Sequence, residues 1–238
     1  MIKLKDLSYR YGKNGFELDK INIEVEPGYI TVLVGNNGCG KTTLMRNMYG
    51  SLIPKSGEIF LDDKKIEFND LAEYHRSVAI IGKSLFADYY TIGDNAELFR
   101  NLYDNFDEDM FLNLINKFDL GNRIDSKYDI LSRGQKVKVD IAFALAIKPK
   151  YLILDEPFAG LDEVSKQDIV EILQNRINED NMGVFVSTHL LDEIEDIADY
   201  VIMMKDGKII KSGDRDSVIK PGSTLTEEAI EVIGNEGN

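Results

Sequence analysis

Cysteine is nearly absent from this 238-residue chain: Cys39 stands alone, which excludes an internal disulfide and fits a reducing compartment. Positive charge is scarce as well. Lys and Arg number 28 against 42 Asp and Glu, a formal net charge of −14. So acidic a surface argues against nucleic acid as a partner and against adsorption to anionic lipid, because phosphate repulsion would oppose both. It fits a protein kept soluble by its own charge. Long apolar runs are missing. The longest, IAFALAI at residues 141–147, falls far short of the roughly 20 residues that span a bilayer. The opening MIKLKDLSYRYG lacks the apolar core of a signal peptide. No low-complexity tract or short repeat stands out. These absences lead us to expect a cytoplasmic protein with no direct membrane insertion; work at a membrane would need another subunit.

What is present suits a folded α/β chain large enough to bury a core. MIKLKDLSYRY, ELDKINIEVE and YITVLV read as strands, the last two separated by a Pro27-Gly28 turn. The unbroken apolar run of YITVLVG suits a parallel strand covered on both faces. KTTLMRNMYGS reads as a helix and EIFLDDKKIEF as a short hairpin, while SVAIIG is a further buried strand. From residue 93 to 148 the period turns helical: Ala96, Phe99, Leu102 and Tyr103 share one face, as do Phe111, Leu114, Ile115 and Phe118. Then follow strand YLILDE, a helix over residues 163–179, strand GVFVST, a helix in HLLDEIEDIAD and a hairpin about Asp206-Gly207. The expected division is a catalytic α/β core (1–92 and 149–220) with an N-terminal antiparallel β subdomain, an inserted helical subdomain (93–148) and a tail (221–238).

GNNGCGKT, from Gly35 through Asn36, Asn37, Gly38, Cys39, Gly40 and Lys41 to Thr42, fits G-x-x-x-x-G-K-[ST] between a strand and a helix. Glycines let successive backbone N–H groups curl around phosphate oxygens, Lys41 can reach the β/γ-phosphates, and Thr42 can ligate Mg²⁺. The apolar strand YLILDEP delivers Asp155, which can hold Mg²⁺ through water. Glu156 could orient or deprotonate an attacking water. LSRGQ poses a question, since Ser132 and the Gly134 N–H at the start of an apolar helix form a second anion site.

A phosphate loop, LSRGQ, YLILDEPFAGLD and VSTH, in that order, resemble the nucleotide-binding subunit of ATP-binding cassette (ABC) transporters, across residues 11–213. The resemblance implies a P-loop NTPase core with a mixed sheet flanked by helices, with ATP and Mg²⁺ as ligands. Further site residues follow from it. Tyr11 resembles the aromatic that stacks on adenine, with Tyr9 a near competitor, and Thr43 completes the nucleotide loop. Asp162 of AGLD resembles the carboxylate of a loop that crosses to a partner subunit, and His189 resembles a γ-phosphate contact. His75, with no such context, reads as surface. Ser132, Arg133, Gly134 and Gln135 would close over ATP held by the partner's phosphate loop. Arg133, where the family commonly has glycine, is expected at the rim. The implied partners are a second ABC ATPase subunit, identical or a sister chain, and an integral membrane permease. TIGDNAELF resembles the segment beside the cleft that docks this permease, at the inner face of the cell membrane.

One departure is clear. The glutamine that normally follows the strand into the helical subdomain is missing; no glutamine occurs between Thr43 and Gln135. Lys83 or Gly82 takes its place, and a protonated lysine has no lone pair for Mg²⁺. Cys39, inside the phosphate loop, is expected to have a lowered thiol pKa, so that alkylation abolishes ATP binding and ATP protects. KVKVDIAFALAI and the closing STLTEEAIEVIGNEGN resemble exporter subunits of the antibiotic-resistance and antimicrobial-peptide type more than importers. The alternatives are a soluble non-transport ABC ATPase, such as an iron–sulphur assembly type, and a weakly hydrolysing regulatory module.

Overall fold

The computed structural model describes residues 1–13, 15–82, 86–189, 191 and 194–234. Among them, ten strands form two sheets. The first is antiparallel, in the order β2 (Glu17–Val25), β1 (Ile2–Arg10), β4 (Ser56–Leu61), β5 (Lys64–Lys65). The second has the order β10 (Lys208–Asp214), β9 (Tyr200–Lys205), β3 (Ile30–Val34), β8 (Gly183–Thr188), β7 (Tyr151–Asp155), β6 (Val78–Ile81). Only β10 runs antiparallel to its neighbour in this sheet.

Period-two alternation splits the central strands between two cores. Val32, Leu152, Leu154, Val184, Val186 and Val201 face one apolar cluster with the helices. Leu33, Ile153, Phe185, Ile202 and Met204 face a second cluster, shared with the N-terminal sheet and helix α1 (Lys41–Met48). Both faces are buried, which explains the continuous apolar runs, and a one-residue slip would exchange every pair of faces.

Helix α2 (Leu71–Ser77) precedes β6. The expected helical stretch holds α3 (Ile92–Leu102), α4 (Glu108–Lys117) and α5 (Arg133–Ala146). Phe111, Leu114, Ile115 and Phe118 are buried as expected. Leu102 is not, at 65% exposure. α6 (Glu163–Asp180), α7 (Arg215–Val218) and α8 (Leu225–Ile233) complete the helices.

Two readings need correction. HLLDEIEDIAD was expected to be a helix; Leu190, Asp192 and Glu193 lie outside the described residues, and the described ones are in 3-10 conformation at Leu191 and at Glu195–Ile197. Its five acidic residues in eleven positions leave little apolar surface to seat a helix. Residues 221–238, read as a tail, carry α8, which buries Leu225, Glu228, Ala229 and Ile233. The missed signal was a capping box, Thr224 with Glu227 three residues on.

Candidate functional site

β8 lies between β3 and β7, with Val34 opposite Thr188 and Asp155 opposite Ser187. The C-terminal ends of these three strands therefore meet, at the edge where doubly wound sheets bind ligands. Beyond β3 the chain turns through Gly38 (φ +80°) into Gly40 (φ +113°), which caps α1. A Cβ at Gly40 would come within 2.4 Å of the Phe16 ring, so both conformation and space require glycine there. No side chain caps α1, and no acidic residue occupies its first turn. Its leading N–H groups thus keep their positive end for an anion.

Lys41 is 6% exposed. Its Nζ donates to the Gly35 carbonyl at 2.7 Å and lies 3.4 Å from Glu156 Oε1. Thr42 Oγ1 donates to Asp155 Oδ2 at 2.7 Å, joining the phosphate loop to β7. Ser187 Oγ donates to Asp155 Oδ1 at 2.6 Å, and the Glu156 N–H donates to Ser187 Oγ at 3.1 Å. Glu156 adopts φ +51°, a left-handed conformation costly for a residue with a side chain. The turn brings its carboxylate back over the strand ends, where Oε2 accepts from His189 Nδ1 at 2.8 Å. Donation from Nδ1 leaves Nε2 as the imidazole's second polar atom.

Sequence reasoning had no place for Ser187, which organises both acidic residues; its signal is a hydroxyl in VST at the end of a buried strand. Gly82 is one of the two positions read in place of the missing glutamine. Its Cβ position lies 2.9 Å from that of Asp155, so a larger residue would press on the carboxylate. Lys83, the alternative to the missing glutamine, lies outside the described residues.

Tyr11 lines a cleft of about 280 Å³ with Phe16, Asn37, Gly38, Gly40, Lys41, Thr42, Thr43 and Glu156. Tyr9 packs edge-on behind it, ring centroids 4.9 Å apart. Asn36 accepts the Cys39 N–H at its carbonyl, 3.1 Å away. Cys39 itself contradicts expectation. Its thiol is buried, and burial pushes its pKa up against the downward pull of Lys41. The loop's positive end does not outweigh desolvation. His75 also differs from its reading: it is half-buried, stacks on Tyr49 at 4.1 Å and donates from Nε2 to the Tyr49 carbonyl at 2.7 Å.

Ser132 caps α5. Its Oγ accepts from the Gln135 N–H at 3.2 Å, while the Ser132 N–H donates to Gln135 Oε1 at 3.0 Å. This capping box uses an oxygen lone pair and leaves the hydroxyl hydrogen and the Arg133 and Gly134 N–H groups for another acceptor. The Arg133 guanidinium is exposed and lies over Gly160, 3.3 Å from where a Cβ would stand. Asp162 caps α6, accepting from the Ser165 N–H and Oγ, both at 2.9 Å. Those bonds hold its carboxyl below the usual range.

No cluster of three or more His, Cys, Asp or Glu suited to a metal occurs among the described residues. Thr42 and Asp155 do offer hard oxygens, the donor type Mg²⁺ takes. No helix among the described residues is long and apolar enough to cross a membrane.

The chain matches the family model described as ABC transporter over residues 18–159. It is 33% identical to the lantibiotic transport ATP-binding protein SrtF of Streptococcus pyogenes, over 88% of this chain and 89% of that one. The energy-coupling factor transporter ATP-binding protein EcfA3 of Clostridium perfringens is 31% identical, over 90% of this chain and 77% of that one. A solved ATP-binding subunit of an ABC transporter superposes with a TM-score of 0.88 at 26% identity, covering 98% of this chain and 99% of the other. The chain belongs to the ABC transporter family. It is an ATP-binding subunit with the P-loop NTPase fold, an enzyme that hydrolyses ATP.

Proposed function

We propose that this subunit powers a transporter by closing head-to-tail with a second ABC ATPase subunit around two ATP molecules, and that it couples to a separate integral membrane permease. The observation that carries the reading is the continuous network from Thr42 through Asp155 and Ser187 to Glu156 and His189, with Lys41 beside it. Lys41 and the α1 N-terminus would hold the β/γ-phosphates, Tyr11 the adenine, and Asn36, Asn37, Gly38, Cys39, Gly40 and Thr43 the rest of the nucleotide. Thr42 and Asp155, the latter through water, would hold Mg²⁺, which when bound neutralises phosphate charge. Glu156 takes a proton from the attacking water. His189 fixes Oε2 of that carboxylate, and Oε1 stands beside Lys41, so the base is held next to the phosphate-binding ammonium. Ser132, Arg133, Gly134 and Gln135 serve the partner's nucleotide, and Asp162 the loop between subunits.

We read the direction as export, on the resemblance of the segment after LSRGQ and of the closing residues to exporter subunits. The likeness to SrtF, named for lantibiotic transport, supports it. EcfA3 bears the name of a different transporter class. The subunit is then cytoplasmic, peripheral at the inner face of the membrane.

Glu156→Gln tests the chemistry. Turnover of the pure protein should fall about 10²–10⁴-fold with ATP binding retained. Equal turnover in variant and parent would remove Glu156 from the mechanism and favour the weakly hydrolysing module that the missing glutamine suggests.

A further inference from the structure

The loop before Ser132 is held from two sides. On one side it forms a short backbone ladder with residues 88–93. Tyr128 N–H donates to the Tyr90 carbonyl at 3.0 Å, Asp129 N–H to Asp88 at 3.1 Å, Ile92 N–H to Ser126 at 3.0 Å and Gly93 N–H to Ile124 at 2.9 Å. Thr91 and Lys127 form the bridge between these rungs. On the other side stands α5, the helix Ser132 begins. Tyr128, 1% exposed, reaches over the loop and donates from its hydroxyl to Asp140 Oδ1 at 2.7 Å. Asp140 lies eight residues into the chain past Ser132, two helical turns along α5. The loop that carries LSRGQ is thus clasped to its own helix by a side-chain hydrogen bond two turns along it. Phe86 packs on the Tyr128 ring at 4.9 Å, and Lys136 Nζ sits 5.1 Å above it.

We propose that Tyr128 and Asp140 are positioning residues: their hydrogen bond fixes the signature loop, and through it Ser132, in the orientation that ATP hydrolysis needs. This rests on the reading of Ser132 as a nucleotide contact. It also implies a pH response. The groups bearing on Asp140 are the Tyr128 hydroxyl across the loop and the Lys136 ammonium one turn back on α5. Both favour the carboxylate, but burial outweighs them and lifts its pKa from 3.8 to about 7. Because the folded value lies above the unfolded one, the neutral form is the better tolerated. Stability tied to it is complete below 3.8 and is lost as pH rises through about 7. Above that range an ionised Asp140 gains by reaching water, and the clasp loosens.

The test uses the full chain, measuring steady-state turnover and equilibrium ATP binding for Tyr128→Phe, Asp140→Asn and the control Ser132→Arg. Tyr128→Phe should lower kcat by roughly three- to tenfold, the size of one hydrogen bond, with ATP affinity unchanged. Asp140→Asn keeps an acceptor and cannot ionise. The ratio of its turnover to the parent's should be near one at about pH 6 and rise severalfold by about pH 8.5. If Ser132→Arg abolishes turnover while Tyr128→Phe matches the parent and the Asp140→Asn ratio stays flat, the clasp is overturned and the signature reading survives. Full turnover in Ser132→Arg would overturn the signature reading and the clasp with it. Loss of ATP binding in Tyr128→Phe and Asp140→Asn would reduce the pair to a general structural role.

Discussion

At the residue scale, the site is built less from single side chains than from their partners. Asp155 is held by two hydroxyls, Thr42 from the phosphate loop and Ser187 from the neighbouring strand. Removing the second should loosen the carboxylate without removing it. Ser187→Ala is therefore expected to raise the Mg²⁺ concentration for half-maximal turnover about 10–100-fold, the usual cost of losing a partner behind a metal ligand, which a Mg²⁺ titration would read. Unchanged Mg²⁺ dependence would show that Thr42 alone positions Asp155. Single-residue placement was legible where a motif fixes it, as for Lys41, Thr42 and Glu156, which the structure brings together. It was not where burial decides. Cys39 looked like an activated thiol from its place in a positive loop, yet its side chain points into the core, and no sequence pattern reports which way a loop side chain turns.

At the scale of elements, the alternation of apolar residues gave the central strands, because both of their faces are buried and the signal is continuous. Short amphipathic pieces were harder. α2 was missed, and the described part of HLLDEIEDIAD, read as a helix, holds 3-10 conformation instead. α8 is the instructive case, a nine-residue helix with a readable capping box but a single buried stripe. It forms one wall of a cleft whose other wall includes Gly35, Asn36 and His189, so it belongs to the site's surroundings. Leu225, 0% exposed, should anchor it. Leu225→Ala is expected to lower the unfolding free energy by about 2–4 kcal/mol, read from the midpoint of a urea titration at constant slope. An unmoved midpoint would mean that α8 melts separately and contributes nothing to the core.

At the scale of the whole molecule, the central claim is that each ATP site is shared: Lys41 of one subunit works with Ser132 of the other. Among the described residues, the cleft around Tyr11 and Lys41 is lined by none of Ser132, Arg133, Gly134 or Gln135, which supports the proposal that a partner supplies them. The direct measurement is the ATPase rate of a mixture. Lys41→Ala and Ser132→Arg should each be inactive alone. Combined in equal amounts and allowed to exchange, half of the pairs are mixed, and each mixed pair keeps one site with both groups intact. Turnover should return to about a quarter of the parent's if the sites act independently. A mixture as inactive as its components would contradict the account, since Lys41 and Ser132 would then serve the same chain's nucleotide.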